Sequence, residues 1–312
     1  MNKKLAIIIP AFKADFIKET LTSISNQSCK DFNLYIGDDC SPYLLDNIVD
    51  EFRDKVSIIY KKFDSNLGGI NLVNHWNRCL EMINDEEYLW LFSDDDIMEE
   101  NCVEQFLKTI DQGVVSNVYH FNIDIIDSNN TIIRRTLNYP KTISAVDFFS
   151  YLYQNKIEAR VPEFIFKTTS LREKGGFVNF DLAWRSDNAT VIANSIEKGI
   201  YTIEGPRILW RQSNLNISSY SKEYALRKDY ATINFFNWIV DFFDINGVRC
   251  PFSKMTLIMV CRQKIGMICK TFNPIQLWQV SYHFKCINSN LERFYFVIIS
   301  YYVRLHNLLV KI

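Results

Sequence analysis

An α/β sheet with helices on both faces, followed by a helical region, is the fold that three observations predict. Apolar runs of strand length alternate with segments of helical spacing through the first half. Acidic residues gather where those runs end, and from residue 221 the pattern turns helical and aromatic. Such alternation builds a parallel sheet, because a helical crossover must return the chain before the next strand can run the same way. Ligands of such sheets bind outside the carboxyl ends of the strands, so residues there are the first candidates for function.

LAIIIPAF (5–12) is a continuous apolar run, the pattern of a strand buried on both faces. Residues 15–27 place Phe16, Leu21 and Ile24 at helical spacing, and NLYIGDD (33–39) is the next strand. A helix through LLDNIVDEF leads to the strand VSIIYKK (56–62); a helix over 71–83 leads to the strand EYLWLFS (87–93). Between 115 and 210, β-rich stretches (VYHFNIDII, TIIRRTL, FIFKTT) mix with helices, and Ser186-Asp187 suits the start of a helix over 186–198. Asn246-Gly247 and Asn273-Pro274 read as breaks between the later helices. The division expected is an α/β domain over 1–220 and a basic, aromatic-rich helical region over 221–312.

A chain of 312 residues, 48% hydrophobic and 23% charged, is long enough for one large core or two smaller ones. The net charge of -1 conceals an asymmetry: residues 249–312 hold nine Lys or Arg against one acid, Glu292, a local +8 that leaves -9 on residues 1–248. Basic helices interleaved with Trp278, Tyr282, Phe294, Tyr295, Phe296, Tyr301 and Tyr302 fit an anionic membrane surface. The plainer alternative is a bundle whose charges are solvated. No nucleic-acid motif accompanies the charge. Eight cysteines without a CxxC or other short paired spacing argue against a zinc ribbon or disulfide framework. The apolar run before Pro10 is too short for a signal peptide, and no run of ~18 apolar residues predicts a spanning helix. A cytoplasmic protein, peripheral at the inner face of the cell membrane, is the expectation.

Four stretches carry chemistry. In IGDDCS (36–41), a carboxylate is placed to accept a uracil N3–H or a ribose hydroxyl, or simply to start a turn. In SDDD (93–96), Asp94, Asp95 and Asp96 offer hard oxygens to Mg²⁺ or Mn²⁺. A helix N-cap would need one aspartate; three exceed it. In GGFVNFDLAWRSDNAT (175–190), Asp187 suits either a general base or a cap. In ILWRQSNLNIS (208–218), Arg211 beside Trp210 suits either a phosphate fork or packing.

Taken in order, IIIPAF, NQSCKDFNLYIGDDCS, NLGG (66–69), LFSDDDIM, GGF…SDNAT and WRQSNLNIS resemble the family 2 glycosyltransferases of the GT-A fold, over roughly residues 4–218. The resemblance implies a Rossmann-like mixed sheet and an inverting transferase of the bacterial polysaccharide type. It would move a sugar from a nucleotide-sugar, by default a UDP-sugar, to a glycan or lipid-linked acceptor, with Mn²⁺ or Mg²⁺. It assigns Asp39 to the base of the nucleotide, with Pro10, Ala11 and Phe12 lining that pocket. Asn66, Gly68 and Gly69 fall near the nucleotide, Asp94 faces the ribose or sugar, and Asp95, with Asp96 beside it, takes the metal. Asp187 becomes the catalytic base, and Arg211 with Trp210 closes over the diphosphate. The sequence departs from the family pattern at Ser93, where the first Asp of D-x-D is usual, and at Ser186, where a Glu is usual. No histidine closely follows the Trp-Arg pair. Rival readings are a non-catalytic nucleotide-sugar-binding protein and a sugar-1-phosphate nucleotidyltransferase. The latter needs a Gly-rich basic loop after the first strand, which PAFKAD lacks, and an NAD enzyme would need G-x-G-x-x-G there.

Overall fold

The structure, a computed structural model, describes residues 3–213 and 222–309, with side chains described as far as 302. It divides into two compact units, one of Met1–Asn179 with Thr190–Asn216 and the other of Phe180–Ala189 with Ile217–Ile312. The second unit thus takes in a ten-residue stretch, Phe180–Ala189, that a linear division assigns to the α/β domain. The expected boundary at 220/221 and the stretch Asn214–Ser218 of the last motif fall on or beside residues outside the described ones.

The first unit is the expected α/β fold. Its strands are β1 (Leu5–Ala11), β2 (Phe32–Asp38), β3 (Ile58–Lys62), β4 (Tyr88–Leu91), β5 (Ile97–Met98), β6 (Val118–Ile126), β7 (Ile132–Arg135), β8 (Thr142–Ile143), β9 (Phe164–Lys167) and β10 (Ile200–Arg211). They form one sheet in the order β3-β2-β1-β4-β9-β6-β10-β5, with β7 on β6 and β8 on β10. The sheet is mixed: β3, β2, β1 and β4 are parallel, while β9 runs antiparallel to both β4 and β6. Two reversals cancel, so β6 and its parallel neighbour β10 point the same way as β1 and β4. The ends of β1, β2, β4 and β10 therefore lie along one edge, which gathers Phe12, Asp39, Asp94 and Arg211.

The local reasons are ordinary. Leu5, Ile7 and Ile9 of β1 are fully buried, as are Ala6 and Ile8 on the opposite face, and burying each large aliphatic side chain is worth roughly 1.5–3 kcal/mol. Helix Ile17–Ser25 turns Ile17, Leu21 and Ile24 into that core. Helix Leu72–Leu80 starts at Asn71, whose side chain accepts the Asn74 N–H at 3.0 Å. The helix-cap alternative for the triplet is not realised here: Asp96 does not cap the next helix. The two-residue β5 intervenes and pairs with β10, so the helix begins only at Cys102, after Asn101.

The described part of the second unit is helical, as expected, with helices Ala225–Ile245, Lys254–Lys264, Gly266–Thr271, Pro274–Ser281 and Asn290–Leu309. Both expected breaks are present. Asn246 follows Ile245 with Gly247 at φ +65°, and Asn273 forms a reciprocal capping box with Gln276. No helix of the described residues is long and apolar enough to cross a membrane.

Candidate active site

Asp39, just past β2, is held by its neighbours on every side. Its backbone N–H donates to the Ala11 carbonyl at 2.9 Å, continuing the β1–β2 ladder by one residue. Its Oδ1 accepts the Leu67 N–H at 2.8 Å and its Oδ2 the Gly68 N–H at 2.7 Å, while Arg78 donates to Oδ1. The loop sits so close that a Cβ on Gly68 would meet Asp39 Oδ2 at 2.5 Å, which is why glycine stands there. Asn66 closes the turn by accepting the Gly69 N–H at 2.6 Å. Burial pushes the Asp39 carboxyl up, while the two N–H donors and Arg78 pull it back. Asp38 beside it is fully buried and accepts from Ser41 N and the Tyr60 hydroxyl.

Arg78 and its neighbour His75 are functional-edge residues that sequence reasoning missed. Arg78 donates through Nε to His75 Nδ1 at 2.9 Å and lies over the Phe63 ring at 3.9 Å. Burial, and then the Arg78 charge, push His75 down to about 4. Helix spacing alone, an Arg one turn from a His, was the available signal.

The triplet after β4 is held differently. Asp94 Oδ2 accepts the N–H groups of Phe12 and Lys13, each at 3.0 Å, fastening the loop after β1 to the loop after β4. The Lys13 ammonium then lies 3.2 Å from Asp94 Oδ1 and 2.5 Å from Asp95 Oδ2. Burial opposes the charge on Lys13, but Asp94 and Asp95 hold its pKa above the ordinary lysine value. Asp96 accepts the Arg211 N–H through Oδ1 at 2.8 Å and is hydrogen-bonded by the Ser93 side chain, while its buried Oδ2 meets no donor among the described residues. Burial, then the Asp95 charge, push Asp96 well above the carboxylate range. Lys13 was not singled out from sequence, although three adjacent carboxylates demand a cation nearby.

Arg211 is fully buried, and its guanidinium is spent within the chain. It donates to the carbonyls of Asp95 (2.8 Å) and Asp127 (2.9 Å), to Glu19 and to Asn130 (2.7 Å each), and its face covers Phe16. In this structure the guanidinium expected to meet a phosphate serves as a brace: a buried guanidinium must be paired, and β10 ends where these acceptors lie. Trp210 carries Arg160 over its ring at 4.8 Å. Phe12 also presents its carbonyl to Ser41 Oγ at 2.7 Å, tying the β1 and β2 ends together.

Pro10, Ala11, Phe12, Asp39, Asn66, Gly68, Gly69, Asp94, Asp95, Asp96, Trp210 and Arg211 all belong to the first unit, and Asp187 to the second. Asp187 is half-buried in the first turn of helix Ser186–Ser195, where its Oδ1 accepts the Asn188 N–H at 2.8 Å. Ser186 accepts the Phe180 N–H at 3.0 Å, tying the preceding loop to the start of the helix. Leu182, Ala183 and Arg185 before it have φ of 58°, 53° and 73°, a run of left-handed backbone that non-glycine residues adopt only under constraint.

Hard carboxylate oxygens, one of them buried without a donor among the described residues, fit a divalent cation at Asp95–Asp96. Among the described residues no three His, Cys, Asp or Glu side chains converge as a ready cage. One or two carboxylates, with phosphate and water completing the shell, is therefore the arrangement this edge suits.

Comparison with known proteins agrees with this fold. The family model described as "Glycosyl transferase family 2" matches residues 6–174. Among solved structures, S. aureus TarS 1–349 in complex with UDP-GlcNAc is similar at a TM-score of 0.67 and 15% identity, over 91% of this chain and 82% of that one. A longer S. aureus TarS structure matches at a TM-score of 0.60 and 14% identity, over 90% of this chain and 48% of its own. GalNAc-T7 with UDP, GalNAc and Mn²⁺ matches at a TM-score of 0.51 and 10% identity, over 73% of this chain and 47% of that one.

Proposed function

The chain belongs to glycosyl transferase family 2, and on that premise we propose that it transfers a sugar, with inversion, from a UDP-sugar to a glycan or lipid-linked hydroxyl in cell-surface polysaccharide synthesis. The observation that carries the reading is the convergence of Phe12–Lys13, Asp39 and Asp94–Asp96 on one sheet edge, tied by direct hydrogen bonds. The UDP preference is supported by the nucleotides named in the similar structures, UDP-GlcNAc with TarS and UDP with GalNAc-T7.

In this reading Asp39 shapes the nucleotide pocket through the Asn66–Gly69 turn it anchors, and Pro10, Ala11 and Phe12 form its wall. Asp94 fixes the Phe12–Lys13 backbone against the donor. Asp95 with Asp96 would hold Mn²⁺ or Mg²⁺, and such a cation, when bound, offsets the charge growing on the departing diphosphate. Asp187 takes the proton of the attacking acceptor hydroxyl, and the anomeric carbon inverts through an oxocarbenium-like state. The strained backbone at 182–185 supports a functional position for Asp187, since such strain concentrates at active sites.

Thermal stabilisation by UDP-, GDP- and dTDP-sugars, each with and without Mn²⁺, tests the donor. A metal-dependent rise with UDP-sugars alone is expected; a rise confined to another nucleotide overturns the UDP assignment. Asp187→Asn should lower turnover by about 10²–10⁴-fold and leave the donor-induced shift in place. Undiminished turnover removes Asp187 from the role.

Membrane contact through 249–312 belongs to the same proposal. Leu291, Phe294, Ile298, Tyr301 and Tyr302 are exposed on helix Asn290–Leu309, within an arc of roughly 100° by helical geometry, while Phe296 and Ser300 are buried. An apolar, tyrosine-bearing face on a segment of net +8 suits an anionic bilayer, and a second copy would bring equal positive charge against it. Flotation with anionic vesicles at low salt should capture the protein. Phe294→Ser with Ile298→Ser should weaken capture, and no binding by the unaltered chain ends this part of the reading.

A further inference from the structure

We propose that Lys13 is a resident counter-cation of the Asp94–Asp95 pair that competes with a divalent ion for Asp95, so that metal is retained only when a diphosphate contributes to its shell. The inference rests on the reading that Asp95 takes the metal, and it assigns to Lys13 a regulatory part in that event.

Geometry carries it. Asp94 accepts the Lys13 backbone N–H at 3.0 Å, which anchors the residue beside the triplet. From that anchor the side chain folds back, and its ammonium reaches Asp95 Oδ2 at 2.5 Å and Asp94 Oδ1 at 3.2 Å. Both aspartate side chains are 7% exposed, whereas that of Lys13 is 28% exposed. The cation is thus more exposed than either aspartate it holds. A divalent ion and an ammonium held against the same carboxylate repel each other, so each weakens the other's hold on Asp95. An arriving ion therefore drives the ammonium away from Asp95, while the main-chain bond to Asp94 keeps the residue in place. Once displaced, the ammonium remains tethered next to the triplet, where a diphosphate offers it new acceptors. Donor binding and metal binding then favour each other, as linkage requires of coupled ligands.

The test measures free Mn²⁺ by electron paramagnetic resonance over the full-length protein, with and without UDP, for the unaltered chain and for Lys13→Met, Lys13→Arg and Asp95→Asn. Lys13→Met should bind Mn²⁺ at least tenfold more tightly than the unaltered chain when UDP is absent, and Lys13→Arg should resemble the unaltered chain. UDP should tighten Mn²⁺ binding more in the unaltered chain than in Lys13→Met. A Lys13→Met protein less stable without metal should regain more melting temperature on adding Mn²⁺ than the unaltered chain does, which keeps the test readable. Equal or weaker Mn²⁺ binding by Lys13→Met overturns the proposal, leaving Lys13 as a plain tie between two loops. If the unaltered chain binds Mn²⁺ with UDP and Asp95→Asn does not, the metal assignment stands whatever Lys13 does. If no Mn²⁺ binds even with UDP, both fall together.

Discussion

At the end of β2, Asp39 meets two backbone N–H groups and Arg78; at the end of β4, Asp95 meets the ammonium of one partly exposed lysine. Both are buried aspartates on the same sheet edge, yet the first is fastened by main chain and the second by a side chain with four rotatable bonds. Main-chain donors cannot leave without unfolding the loop, so the β2 end is a preformed wall. A lysine can leave by changing rotamers, so the β4 end can exchange one cation for another. The same residue type serves shape in one place and charge exchange in the other.

Substitutions sharpen that contrast, and the largest effect is expected on turnover. Asp95→Asn should reduce it by about 10²–10³-fold, on the scale of removing a group that stabilises transition-state charge, while the urea midpoint moves little. An unfolding shift as large as that of Asp39→Ala would erase the distinction. Asp39→Ala should act on the fold, costing about 3–5 kcal/mol in urea titrations, because it strands Arg78 and leaves the Leu67 and Gly68 N–H groups without their acceptor. Gly68→Ala should cost less, about 1–3 kcal/mol, since the Asp39 carboxylate must give way to the new methyl.

The smallest effect is a pH slope. His75 is pushed down to about 4 from an ordinary value of 6.5, so the unfolded chain binds its proton first. Stability from this group is fully present above pH 6.5 and is lost as pH falls toward 4. His75→Gln should flatten that part of the urea-midpoint profile, and an unchanged slope would assign it to other groups.

The strands that frame the site were legible because each carries its own signal. LAIIIPAF and EYLWLFS are apolar on both faces, and the acids that follow them mark the chain's return to the edge. The triplet stood out because three adjacent charges beside an apolar run exceed what a helix cap needs. Asn66 and Gly68 were singled out only through the family resemblance, and Asp39 alone reads equally as a turn residue. Arg211 was not legible as a buried residue, because a position in sequence says nothing of burial. Only β10, lying beside β6, brings it against the Asp95 carbonyl. Lys13 was overlooked because its partners stand 81 and 82 residues away.

By itself, the sequence determined the alternation of strands and helices, the acidic strand ends, the helix breaks at Asn246 and Asn273 and the basic, aromatic C-terminal segment. These follow from periodicity and turn chemistry, which act over a few residues. Tertiary structure decided the antiparallel insertion of β9 between β4 and β6, the assignment of Phe180–Ala189 to the second unit and the charge partners of each aspartate. Strand order and ion pairing depend on contacts between residues far apart in the chain, and such contacts are fixed only when the core closes.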